Sequence, residues 1–311
     1  MIGRAVRPGR LQSLGGEIWK FRRLYCFVLP GLFFYILFRY VPLYYLQIAF
    51  RDFRITRPLE QAAFAGFKYF GQVFSSVGFG DALRNTLFIN GMKLLVCFPA
   101  PILLAVLLNE LGSVRYRRTI QTVLYLPHFI SWVVIASILV NFTSVYGGLF
   151  NGIRALLGME PIMFLGEKQM FCGILVLSDL WKESGYGAII YLSALTAIEP
   201  QLYEAASIDG AGRLRQFWHV SLAGIKPTII VMLILRVGAM MNGNFDQVQS
   251  LLNDQVLGVG DVLDTFVYRV GISKARYSFA SAAGLFNSVV GAALLLASDR
   301  LAKRLGERGL F

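Results

Sequence analysis

Residues Leu83 to Leu108 read LRNTLFINGMKLLVCFPAPILLAVLL, and this stretch decides the class of protein. It is apolar almost throughout, has no acidic residue, and carries only Arg84 and Lys93 as charges. A helix rises about 1.5 Å per residue, so about 20 such residues cross a ~30 Å hydrocarbon core. Further candidate runs lie at about 24–50, 119–142, 170–195, 227–241 and 281–302. The first is interrupted by Pro30, Arg39 and Pro42, and its length allows tilt or a kink at Pro42. The fourth carries charges in its middle, and the fifth is short. These runs lack the ten-residue alternation of a membrane β-barrel, and nothing repeats at a solenoid period. The 311-residue chain is 56% hydrophobic and 15% charged, with a mean hydropathy of +0.59. A soluble surface needs nearer a quarter of its residues charged. The sequence therefore predicts an all-α integral membrane protein of about six transmembrane helices, with its membrane domain over 24–302.

The formal net charge is +12. In a soluble domain that balance points to nucleic acid. Here the basic residues flank the spans, and no nucleic-acid partner is expected. Arg4, Arg7, Arg10, Lys20, Arg22 and Arg23 share one side with Arg115, Arg117, Arg118, Arg213, Arg215 and Lys226. Arg300, Lys303, Arg304 and Arg308 fall on that side too. The opposite side holds the smaller set Arg51, Arg54, Arg57, Lys68, Arg154, Lys168, Arg269, Lys274 and Arg276. The positive-inside rule then places the basic segment 1–23 and the tail 303–311 in the cytoplasm. The first apolar run is longer than a signal-peptide core and no small-residue cleavage site follows promptly, so it reads as an uncleaved span. Cys26, Cys97 and Cys172 lie inside apolar runs, and His128 and His219 are isolated, so no disulfide framework or metal site is indicated.

The chain contains no GxxxxGK[ST] phosphate loop, no GxSxG elbow and no HExxH helix, so it is not expected to be an enzyme. Energy for uphill movement would come from another chain or from an ion gradient. Between the fourth and fifth runs lies a loop, 199–227, that opens EPQLYEAASIDGAG over Glu199–Gly212. Tyr203 to Ile208 reads as a short helix begun after Pro200 and ended near Gly210, because glycine enters the left-handed conformation without penalty. Ala205 and Ala206 leave a narrow face that another protein surface could approach closely. An amphipathic helix lying on the bilayer is the alternative.

Glu204-Ala205-Ala206 followed by Asp209-Gly210-Ala211 resembles the EAA signature of permease subunits of bacterial ABC importers, in the form of the carbohydrate-uptake branch that includes the maltose transporter's membrane subunits. Leu29-Pro30-Gly31, Tyr40-Val41-Pro42 and Gln47-Ile48-Ala49-Phe50 resemble the subgroup for polysaccharides and complex oligosaccharides. So do Ser178-Asp179-Leu180-Trp181-Lys182, Gly243-Asn244-Phe245-Asp246-Gln247, Asp264-Thr265, Val267-Tyr268-Arg269 and Ala302-Lys303-Arg304-Leu305-Gly306. In one departure, Leu222 is followed by Ala223 where the family carries Leu-Pro, which leaves Pro227 as the nearest helix breaker. The resemblance implies a permease in a bacterial cytoplasmic (inner) membrane with a second homologous permease subunit. It also implies two cytosolic ATPases that bind ATP and Mg, and an extracytoplasmic solute-binding protein, with no cofactor or metal in this chain. By the same resemblance Glu204, Ala205, Ala206 and Gly210 form the ATPase-coupling element between spans four and five, and Asp209 and Ala211 shape its turn. ATP must favour one arrangement of that element over another, or nothing is transmitted.

Charges inside a bilayer are expensive, so each is a candidate pathway residue. Asp179, Lys182 and Glu183 share a helix face, with Tyr186 one turn on. Asp179 and Lys182 can pair, and Arg236 is a further partner. One reading makes this a hydrophilic wall for a saccharide, with Trp181 or Tyr186 stacking on sugar rings. The other makes it a buried ion network that sets helix packing. Asn244, Asp246 and Gln247 follow the short fifth run, either lining a cavity at a broken helix or simply ending the span. Arg39 and Lys93 either add positive potential to the path, favouring an acidic saccharide, or snorkel to an interface. The competing expectations are an importer of a non-sugar solute, a secondary transporter and a membrane glycosyltransferase. The last lacks an Asp-x-Asp pattern.

Overall fold

The computed structural model describes residues 19–307 and 309–311. The basic segment up to residue 18, with Arg4, Arg7 and Arg10, lies outside the described residues, as does Arg308 in the C-terminal tail. What is described is helical apart from loops and one isolated bridge between Arg51 and Phe64. The first helix, α1 (Arg22–Phe50), is regular to Tyr35, widens to a π turn over Ile36–Tyr40 and tightens to a 3-10 helix over Val41–Phe50. Pro42 is the cause: it has no N–H to donate and its ring crowds the carbonyl of Phe38. None of Arg22–Tyr40 is buried within this chain. So large an apolar surface suits hydrocarbon or another subunit, and not water.

The chain continues through α2 (Lys68–Phe74), α3 (Phe79–Asn109), α4 (Val114–Phe129), α5 (Trp132–Thr143) and α6 (Leu149–Leu156). Next come α7 (Lys168–Thr196), α8 (Pro200–Ile208), α9 (Arg213–Met241), α10 (Phe245–Leu251) and α11 (Leu257–Gly260). Last are α12 (Leu263–Phe266), with a π turn over Val267–Ile272, and α13 (Tyr277–Arg304). Among the described residues α1, α3, α9 and α13 are each long and apolar enough to cross a membrane. Helices α4 and α5 together make a fifth such segment, bent by 95° between Phe129 and Trp132 where the sequence suggested one continuous run. The remaining expected span is α7, whose 29 residues make about 44 Å of helix but hold Asp179, Lys182 and Glu183 midway. Helix α9 begins well ahead of Pro227, which lies inside it, and the irregularity near the missing Leu-Pro is a π turn over Phe217–Ser221.

Helix α7 is the hub. Ala188, Leu192 and Leu195 pack on Ile102, Ala105 and Leu108 of α3 and on Ile225 of α9. Further along, Phe171 and Leu175 meet Ile89 of α3, Ala136 of α5 and Val248 of α10. A separate cluster joins Ala49, Phe79, Phe266, Phe279 and Ala282, tying the end of α1 to α3, α12 and α13. Contact between α7 and α4 depends on Gly185, where a Cβ would run into the Leu124 carbonyl oxygen. Gly185→Ala is therefore expected to force the two helices apart and cost ~1–3 kcal/mol or more. A lowered Tm of the purified protein checks this, and an unchanged one would mean that the contact gives way freely.

Candidate functional site

Midway along the bundle four helices bring polar groups into one place. Lys93 of α3 is 1% exposed, and its Nζ donates to Gln247 Oε1 at 2.5 Å and to Asp179 Oδ1 at 3.4 Å. Arg236 Nη2 of α9 donates to Asp179 Oδ2 at 3.4 Å, and Asn244 Nδ2 donates to Oδ1 at 3.2 Å. Gln247 of α10 is itself anchored, donating to the Leu175 carbonyl at 2.7 Å and to Ser178 Oγ at 2.9 Å. Removing ions from water costs several kcal/mol each, and only paired, hydrogen-bonded geometry offsets that cost. The buried Lys93–Asp179 pair meets that condition.

These groups border a cavity of about 220 Å³ that Asn90, Asn242 and Asn244 also line. Asn90 Nδ2 donates to the carbonyls of Met240 and Asn242, at 2.8 and 3.1 Å, holding the end of α9 against α3. The connection from α9 to α10 turns sharply at Asn244, with φ of +54°, a left-handed conformation that asparagine tolerates better than most residues. Arg236 is the more open cation, its side chain 42% exposed. Two cations therefore face one carboxylate at this cavity. The excess positive charge is positioned to attract an anion, and the exposed Asn242 side chain to bond hydroxyls or carboxylates.

Other expected site residues form different groupings. Asp179 and Lys182 do not pair. Lys182 Nζ instead donates to the carbonyls of Pro127, His128 and Ile130, at 3.3, 2.6 and 2.7 Å. The His128 and Ile130 carbonyls are freed where α4 breaks before α5, while that of Pro127 also accepts from the Ile130 amide, and a cation is favourable at such a helix C-terminus. Glu183 meets His128 Nδ1 at 2.8 Å and Lys182 at 3.9 Å. Tyr186 stacks on the His128 ring, with centroids 3.8 Å apart and planes 2° from parallel, so one of its faces is already covered. His128, isolated in sequence, is thus the centre of a second cluster. Trp181 lies on an apolar flank with Ile138, Phe142, Phe164 and Leu177, away from the charged cavity. Asp246 is exposed. Lys93 does not snorkel, and its burial with Gln247 makes both central to the network. A lysine in the middle of a long apolar run was the available signal for Lys93, and a polar cluster after a short fifth run was the signal for Gln247.

The loop after α7 forms α8, which starts at Pro200, slightly ahead of the expected Tyr203. It ends in paired bonds, Ala211 N to Ala206 O at 2.8 Å and Gly210 N to Ser207 O at 3.1 Å, with Gly210 at φ +75°. This arrangement satisfies carbonyls that a helix end otherwise leaves free. Tyr203 Oη bonds Ser221 Oγ at 2.9 Å and so seats α8 on the base of α9. Gln216 Nε2 donates to Ser207 Oγ and to the Ala211 carbonyl, at 2.8 and 3.1 Å. Glu204, Ala205, Asp209 and Gly210 are exposed, beside Leu202 and an almost fully exposed Ile208, while Ala206 and Ala211 are half-buried. Leu202, Ala205 and Ile208 make an apolar stripe that this chain leaves uncovered.

Residues 97–308 match the family model described as binding-protein-dependent transport system inner membrane component. Protein LplB of Bacillus subtilis (strain 168) is 42% identical over 93% of this chain and 91% of its own length. The polygalacturonan/rhamnogalacturonan transport system permease protein YteP of the same organism is 41% identical over 93% and 90%. A chain of the bacterial alginate ABC transporter, solved in complex with an alginate pentasaccharide-bound periplasmic protein, superposes with a TM-score of 0.86. That chain is 37% identical, and the match covers 95% of this chain and 99% of that one. A helical bundle with these spans and this match over most of its length belongs to the family of inner membrane components of binding-protein-dependent transport systems.

Proposed function

We propose that the chain is the membrane-spanning permease subunit of an ATP-driven importer that carries an acidic oligosaccharide or polysaccharide across the bacterial cytoplasmic membrane. One observation carries the acidic cargo: Arg236 and Lys93 face a polar cavity with Asp179 as their shared counter-ion, leaving positive charge unbalanced. The saccharides for which two relatives are named, polygalacturonan/rhamnogalacturonan for one and alginate for the other, agree with that chemistry. In this reading Asp179, Arg236 and Asn244 line the pathway with Lys93 behind them, and Lys182, Glu183 and Tyr186 hold the bend between α4 and α5. The six-span arrangement, with α7 as the fourth span and both termini cytoplasmic, belongs to the same proposal.

The partners are a second homologous permease subunit, two ATPases that bind ATP and Mg, and an extracytoplasmic solute-binding protein. The chain itself performs no catalysis. Glu204, Ala205, Ala206 and Gly210 couple it to an ATPase, Asp209 and Ala211 shaping the turn, and the uncovered stripe on α8 supports that role. Such a stripe is what a protein groove would bury.

Arg236→Gln tests the cargo. Lys93 still balances Asp179 in the variant, so the fold is expected to persist. ATP-driven uptake of trigalacturonate by the reconstituted complex should weaken roughly tenfold, equivalent to ~1.4 kcal/mol of lost charge-assisted bonding. Uptake of an uncharged trisaccharide should change little. Absent trigalacturonate uptake by the parent transporter would overturn the acidic-saccharide reading, and unaltered uptake in the variant would remove Arg236 from the pathway.

A further inference from the structure

We propose that the cleft between residues 51–72 and the turn at 275–278 is a second binding site, for a carboxylate-bearing sugar chain, separate from the membrane cavity. This inference rests on the acidic-saccharide reading above and extends it to the outer face. The cleft encloses about 600 Å³, within the range of small-molecule sites, and Arg54, Arg57, Lys68, Arg276, Tyr69 and Tyr277 line it. Asp52 is the one carboxylate among the described lining residues, and it is already committed. It accepts from Tyr69 Oη and from Lys68 Nζ, the latter at 2.9 and 3.1 Å, and those bonds hold its carboxyl below the ordinary carboxylate range.

Among the described residues, neither Arg54 nor Arg57 pairs with a carboxylate. The Arg276 guanidinium sits 4.5 Å over the Phe279 ring and donates to Gln72 Oε1 at 3.3 Å, which leaves the rest of its fork open. Guanidinium forks match carboxylates with two parallel bonds, and tyrosine rings offer sugars both a face and a hydroxyl. The walls are fastened to each other. Ser278 Oγ donates to the Arg51 carbonyl at 2.6 Å and accepts from the Phe53 amide at 3.0 Å. Ala275 holds φ of +55°, a conformation that L residues rarely keep unless their surroundings impose it.

Position agrees with delivery. Helix α13 starts at the cleft and ends near Lys226, which pairs with Glu307 at 2.5 Å close to the seat of α8 on α9. Its 28 residues separate the cleft from the coupling end by about 42 Å, so the cleft sits at the opposite end of the bundle.

The test uses the assembled transporter in phosphatidylcholine nanodiscs without its binding protein. All chains carry Arg236→Gln, so that the membrane cavity contributes little. Trigalacturonate, titrated calorimetrically, should bind with an affinity that falls at least tenfold in an Arg54→Gln/Arg57→Gln variant. Reduced, uncharged galactotriose should show no comparable binding. Equal trigalacturonate affinity in the double variant, equal binding of the neutral sugar, or no binding at all would overturn the proposal. Complete displacement of the trisaccharide by adding phosphatidylglycerol to the disc would do so too, by assigning the cleft to lipid headgroups. ATP-driven trigalacturonate uptake by the parent transporter with its binding protein separates the two readings. Absent uptake overturns the cargo, whereas normal uptake without cleft binding overturns only the cleft.

Discussion

Asp179→Asn is expected to be the most damaging single substitution in the bundle. It preserves side-chain shape but removes the negative charge that Lys93, Arg236 and Asn244 share. Lys93 is then a buried cation with no anionic partner, held only by neutral amide oxygens such as Gln247 Oε1 at 2.5 Å. Removing one member of a buried pair costs ~3–5 kcal/mol, because the surviving charge is stranded in a low dielectric. A large drop in Tm of the purified protein, and loss of uptake with it, is the expected result. Lys93→Met combined with Asp179→Leu should recover part of the lost stability, since neither buried charge remains and Arg236 keeps contact with the cavity. Additive damage from the two substitutions would show that they do not act as a pair. A Tm for Asp179→Asn equal to that of the parent would mean that the network does not hold α3, α7 and α9 together.

Gly210→Val is expected to have the second-largest effect, and on a different property. Gly210 stands at φ +75°, where a β-branched residue clashes with its own backbone at a cost of ~1–2 kcal/mol. No neighbour lies within 4 Å of the added Cβ, so the penalty is conformational and confined to the end of α8. The bonds from Gly210 and Ala211 back to Ser207 and Ala206 would open, and the stripe of Leu202, Ala205 and Ile208 would lose its aim. Coupling energies between sites are typically 1–3 kcal/mol, so misalignment of this element should reduce substrate-stimulated ATP hydrolysis about tenfold or more. The Tm of the bundle should stay near the parent value, since the Tyr203–Ser221 bond still seats α8 when the bonds at its end, including those from Gln216, are disturbed. Fully stimulated hydrolysis in the variant would remove the coupling role proposed for this turn.

Much of the architecture was legible in single residues. Pro42 predicted the irregularity of α1, and Pro200 with Gly210 marked the ends of α8 closely, because prolines and glycines act through their own backbone torsions. Arg236 was readable as a partner for Asp179, since intramembrane charges seek company. The pairing of Asp179 with Lys182 was not supported. Helix geometry puts residues three apart on one face, but that argument cannot weigh a competing acceptor elsewhere. Lys182 found three carbonyls at a break in α4 that hydropathy alone read as continuous apolar helix. Trp181 was grouped with the charges by closeness in sequence. The two hundred degrees of helical turn between residues 179 and 181, roughly, send Trp181 to another face.

The amino-acid sequence determined the medium, the helical class and the form of the α8 turn. Each depends on sums or torsions within a short stretch, which no distant residue needs to complete. Only the tertiary structure decided which charges meet. Lys93 lies 86 positions from Asp179 and Arg236 lies 57, and their pairing exists because packing buries Lys93 and Asp179 and brings the more open Arg236 to the same point. Desolvation is a property of the assembled bundle, and it is what turned a spacing on α7 into a charged cavity on one side and a braced bend on the other.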